Sequence, residues 1–229
     1  MQKSLVQSGL FFASLIGCVS FASGQTGRGA ATPPDIVGVY QPIPNTTTLP
    51  GGLKNSGTTN DLPLLPDAIQ QMKSVNLKED PYKMCQPLGP FRMMARLDTK
   101  VELLPEPGMI VVLFEDLERG VMRTIYTKRG HKEKLEPTWM GDSVGHWEGD
   151  TLIVDTVGFN TDTWLNDAGA KHSEALHLVE RIRPVLAGKY LEYKMTAEDP
   201  QVLAKPYTYT RYYEKLKTEI MEDVCVDQE

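Results

Sequence analysis

From about residue 92 to residue 216 the chain is a succession of short runs whose apolar side chains recur every second position, cut by brief turns. That period belongs to β-strands, because successive side chains on a strand face opposite sides. "VELLPEPGMIVVLFED" reads as a strand, a Pro-Glu-Pro-Gly turn and a second strand over residues 109–115, apolar on both faces and therefore central in its sheet. "VMRTIYTK" and "DTLIVDTVGF" are further strands. "LHLVERIRPVLAGKYLEYKMTAED" is a hairpin turning near Ala187-Gly188-Lys189, and "YTYTRYYEKL" is the last strand.

Strands joined by short turns without strand–helix alternation predict a mainly β fold: an antiparallel barrel of the lipocalin-like or calycin-like kind, or a sandwich. One short helix precedes it over residues 66–76, where a proline opens the first turn and Ile69, Met72 and Val75 lie three apart. Residues 25–66 are dense in Gly, Pro, Thr and Asn and read as an extended arm in which "DIVGVYQP" is a short strand that docks on the sheet. The folded body is placed at residues 67–229, as one domain.

The first residues combine Lys3, an apolar stretch over residues 9–22 and the small-residue run Ala22-Ser23-Gly24, the pattern of a secretory signal over residues 1–24. The apolar stretch is too short for a membrane-spanning helix. An alternative is a lipoprotein signal in which Cys18 becomes the lipidated residue. Either implies a periplasmic or secreted location. There the two remaining cysteines, Cys85 and Cys225, are expected to pair as a disulfide. The formal net charge of −6 argues against a nucleic-acid partner, and the one basic cluster, "TKRGHKEK" at residues 127–134, reads as a solvated hairpin loop.

Four patterns bear on chemistry. "GDSVG" at residues 141–145 has Ser143 central and is followed by Asp155 or Asp167 and then His172, the order of α/β hydrolases. A proline stands upstream and a strand follows where the nucleophile elbow needs a helix, so Ser143 is set aside. His146-Trp147-Glu148 and His172-Ser173-Glu174 each place an imidazole two residues from a carboxylate, suited on a strand to acid/base work or a divalent metal. "EGDT" is strong turn chemistry, however, so the first pair is expected at a hairpin tip. In "LHLVERIRP" the alternation turns Glu180 toward the apolar side with Leu178 and Ile182, where Arg211 on the last strand is its expected partner. Trp139, Trp147 and Trp164 are close in sequence and, with His146 and Tyr209, form the expected lining of an aromatic substrate pocket.

"PTWMGDSVGHWEGDTLIVDTVGFN", "KHSEALHLVERIRP", "AEDP" and the cysteine in "MCQPLGP" together resemble a largely uncharacterised family of secreted bacterial β-proteins with a Trp-Glu-Gly-Asp-Thr run. The resemblance begins near "DIVGVYQP" and implies export and a mainly β body. Such proteins often carry arginine where this chain has His146, which weakens a two-histidine metal site. The expectation is an exported enzyme without organic cofactor, using acid/base chemistry as a lyase, isomerase or hydrolase on a small aromatic or glycosidic molecule inside the barrel. His172 and Glu180 are the expected proton-transfer groups and Arg211 the anion stabiliser. The alternative is a lipocalin-like binding protein without catalysis.

Overall fold

The structure, a computed structural model, describes residues 34–115 and 122–221. Among the described residues nine strands follow one another around a closed barrel: β1 (Gly38–Pro42), β2 (Lys100–Glu106), β3 (Met109–Glu115), β4 (Met122–Tyr126), β5 (Asp142–Glu148), β6 (Thr151–Val157), β7 (His177–Val185), β8 (Tyr190–Glu198) and β9 (Tyr207–Leu216). β9 returns to pair with β1 through Val39↔Leu216 and Pro42↔Tyr213, so the expected barrel is present and the sandwich is not. It is mixed rather than wholly antiparallel. β4 and β5 run parallel, joined at Ile125↔Ser143 and Tyr126↔Val144. Parallel neighbours cannot be joined by a tight turn, so residues 127–141 form a crossover, not the expected hairpin loop.

Residues 34–66 belong to the barrel rather than to an arm. β1 supplies the strand that closes it, Ile36, Tyr40, Ile43 and Leu49 are buried, and Ser56 bridges to Thr210 of β9. Asn55 donates to the Ile43 carbonyl at 2.9 Å and accepts from the Tyr212 backbone N–H at 2.8 Å. The described residues fall in one compact unit, with no edge at residue 67. The expected signal segment, Cys18 and Cys225 lie outside the described residues, and the expected Cys85–Cys225 pairing with them.

Among the described residues two α-helices accompany the strands. α1 (Pro66–Ser74) is the expected one and begins on its proline. α2 (Gly89–Met93) was not expected and is wholly buried. Tyr209 donates its hydroxyl to the Phe91 carbonyl at 2.7 Å, and Tyr213 donates to the Met94 carbonyl at 2.8 Å, so α2 and the residue after it are tied into the barrel. Short 3-10 turns lie at Pro50–Gly52, Leu77–Glu79 and Pro81–Met84. Among the described residues no helix is long and apolar enough to cross a membrane.

Strand alternation fills the interior. Leu152 and Val154 of β6, Leu178 and Ile182 of β7 and Leu191 and Met195 of β8 all point inward and are at most 3% exposed. Each contributes roughly 1.5–3 kcal/mol by leaving water. What remains between them is a cavity of about 20 Å³ beside Arg123, Tyr193 and Tyr213. That is room for about one water. The described interior is thus closely packed around that cavity, which is too small for an organic ligand.

Candidate active site

Glu180 sits inside the barrel as the alternation predicts, and it is fully buried. Its partner is Arg123 of β4, not Arg211. The Arg123 guanidinium meets both Glu180 oxygens, at 2.7 and 2.6 Å, and also donates to Thr156 Oγ1 at 2.7 Å and Ser143 Oγ at 3.0 Å. The Tyr193 hydroxyl donates to the same carboxylate. Burial pushes the Tyr193 phenol well above its ordinary range, with the adjacent Glu180 charge acting the same way, so it stays protonated as a donor. This knot joins β4, β5, β6, β7 and β8 with its charges paired and bonded, which is what a buried ion pair requires. Ser143 is 1% exposed within it, consistent with setting it aside as a nucleophile.

Arg211 lies elsewhere. Its guanidinium donates to the backbone carbonyls of Ala95, Ser56, Gly57 and Thr210 and stacks 4.9 Å from the Tyr209 ring centroid. It fastens the 55–96 segment to β9. The reason it misses Glu180 is that irregular backbone beside β9 offers it acceptors, while Arg123 reaches the carboxylate across the interior.

His172 is buried in the loop between β6 and β7. Its Nδ1 donates to the Ser173 carbonyl at 2.9 Å and its Nε2 accepts from the Thr163 hydroxyl at 2.5 Å. Burial holds its pKa below the usual histidine value, against the opposing pull of the Ser173 carbonyl, Asp199 and Asp162. Both ring nitrogens are used by the fold. His172 and Glu180 share no partner, and Glu180 has no access to solvent, so the two do not form a proton-transfer pair.

The expected aromatic pocket is not assembled either. Trp147 lies at the end of β5 and lines a cleft with residues 34–37 and the β2–β3 turn. Trp164, 4% exposed, borders a separate polar groove with Asn76, Glu79 and Lys171. Trp139 is in the crossover and lines neither, and Tyr209 is fully buried against Phe91. Strands and loops at different positions around a barrel separate residues that are near in sequence. His146 is on the outer wall, largely exposed, 3.3 Å from Glu148.

A different constellation is assembled on the outer wall. Asp142 of β5, Asp155 of β6, His177 of β7 and Glu198 of β8 share the outward face, and the crossover lays Arg129 and His131 upon them. Arg129 holds Asp142 at 2.5 and 3.1 Å while stacking 3.7 Å from the Tyr126 ring centroid. His131 bridges two carboxylates, with Nδ1 3.0 Å from Asp142 and Nε2 2.8 Å from Asp155. The other Asp155 oxygen faces His177 Nε2 at 2.8 Å. Among the described residues His177 Nδ1 makes no hydrogen bond; Glu198 stands 3.7 Å from it, beyond hydrogen-bond range and close enough to pair with the ring only when it is protonated.

The charges shape the acids. The Arg129 hydrogen bond, opposed by burial and aided by His131, lowers the Asp142 carboxyl to about 2. Burial works against ionising Asp155, but the hydrogen bonds and charge of His177 and His131 outweigh it and hold this carboxyl below its usual value. Ionised Asp155 accepts from His177 Nε2–H, and this tautomer leaves the Nδ1 lone pair outward on a ring that is about one-third exposed. A carboxylate orienting an imidazole whose far nitrogen is open is the arrangement of a general base. The described residues hold no group of three or more His, Cys, Asp or Glu arranged to bind a metal ion.

Alternation already places His177 opposite Glu180 on β7, and the same rule turns Asp142 and Asp155 outward. The missing signal was the crossover that delivers His131. No protein-family model matches the chain, and no curated protein matches it either.

Proposed function

We propose that the protein is an exported acid/base catalyst of small organic molecules, a lyase, isomerase or hydrolase, whose general base is His177 rather than His172 or Glu180. The observation that carries this reading is the open Nδ1 of His177, held in place through Nε2 by Asp155. In the step so assigned, His177 Nδ1 takes a proton from substrate or from a water, and Asp155 stabilises the imidazolium that forms. His131 positions Asp155 from its far side. The likeness in "HWEGDT" to exported β-proteins and a Cys85–Cys225 link belong to the same proposal.

The test is a turnover screen of the purified full chain against small aromatic and glycosidic substrates, followed by variants on the substrate that reacts. His177→Gln is expected to lower kcat by roughly 100-fold or more, as loss of a general base does. Asp155→Asn is expected to lower kcat and shift the pH profile. Glu180→Gln is expected to lower the melting temperature while the folded fraction keeps its kcat. Full activity in His177→Gln would exclude the assignment. A binding protein without catalysis is the second reading, favoured by the apolar cleft around Trp147.

A further inference from the structure

The cleft at Trp147 lies at the opposite end of β5 from Asp142, so it is separate from the His177 cluster and does not depend on that reading. It encloses about 260 Å³. That is near the lower end of small-molecule pockets, enough for one ring or a short chain. Its walls come from four places: Pro34, Ile36 and Val37 before β1, Pro105 and Met109 at the β2–β3 turn, Thr127 after β4, and Trp147. Trp147 points inward along β5, packs against the core cluster and is half-buried. Its indole N–H donates to nothing among the described residues.

Among the described residues, the ionisable groups lining the cleft are Asp35 and Glu106, both exposed, and none of those lining it is basic. Two lysines stand outside the wall. Lys215 is 3.9 Å from Asp35, a contact too long and too solvated to neutralise it firmly, and Lys128 lies along Gly108 at the back of the turn. An apolar floor, one aromatic side chain and two carboxylates at the rim suit a single class of occupant. We infer that the cleft binds small apolar cations, aromatic or alkyl ammonium compounds, with the apolar part on Val37, Met109 and Trp147 and the cationic head against the indole and the rim carboxylates.

Isothermal titration of the full chain with benzylammonium, benzyl alcohol and benzoate tests this. Benzylammonium is expected to bind saturably, benzyl alcohol about tenfold more weakly and benzoate not at all, with affinity for the cation falling as salt rises. Glu106→Gln, an exposed turn position, is expected to weaken benzylammonium roughly fivefold, and Trp147→Ala to abolish its binding. Equal affinity for the alcohol or for benzoate would overturn the inference. So would absence of saturable binding by the cation, or cation binding unchanged in Glu106→Gln. Because Trp147 also packs on the core, the Glu106 variant carries the decision if Trp147→Ala does not fold.

Discussion

At the scale of single residues, the two imidazoles that matter most are held in opposite ways. His172 spends both nitrogens on the fold, whereas His177 spends one and leaves the other at the surface. The buried ring has a pH signature. Its folded pKa is depressed, so below about 6.5 the unfolded chain binds a proton that the folded chain resists, and stability falls as pH drops through that value. Asp142 acts in a separate window. Its folded pKa is also depressed, so its contribution is present above the ordinary carboxylate value of 3.8 and is lost as pH falls toward about 2. Melting temperatures measured from pH 8 to pH 2 should therefore decline in two stages. His172→Gln should flatten the upper stage and Asp142→Asn the lower.

At the scale of elements, turn chemistry decides the register. The Trp-Glu-Gly-Asp-Thr run is a two-residue hairpin: Glu148 pairs with Thr151, and Gly149 has φ of 63° while Asp150 does not take positive φ. Positive φ at the first central residue alone is the type II′ pattern that glycine serves. The β7–β8 turn is less well matched, because Leu186 and Ala187 hold φ of 51° and 57° without being glycine. Left-handed backbone costs an L-residue about 1–2 kcal/mol, part of which is offset by the extra chain entropy glycine carries when unfolded. Ala187→Gly is accordingly expected to raise stability by about 0.5–1 kcal/mol, and Gly149→Ala to lower it by a similar amount. Denaturant titration of both variants checks the pair. The hairpin at residues 177–198, the last strand and α1 were legible in the sequence because each is a local pattern with its own punctuation. The crossover was not, because whether two strands run parallel is set by what they pair with.

At the scale of the whole molecule, closure rests on a strand from the segment that composition marks as an arm. β1 pairs with β2 through Gly38↔Leu103 and with β9 through Val39↔Leu216. Without it both neighbours would present open edges, the usual start of aggregation. Deletion of residues 1–44 is expected to abolish the cooperative thermal transition and give aggregates by light scattering, whereas deletion of residues 1–33 leaves the barrel strands in place. A soluble monomer of the longer deletion with an intact melting transition would show that closure is dispensable.

Strand period, turn residues and the inward aim of Glu180 follow from the sequence alone, because alternation and turn geometry are properties of a few neighbouring residues. The partner of Glu180, the filling of the barrel and the meeting of His131, Asp155 and His177 were decided only by tertiary structure. Arg123 and Glu180 are 57 residues apart, and His131 and Asp155 are 24 apart. Contacts of that range depend on strand order and on the parallel join of β4 to β5, and neither the period of a strand nor the chemistry of a turn encodes them.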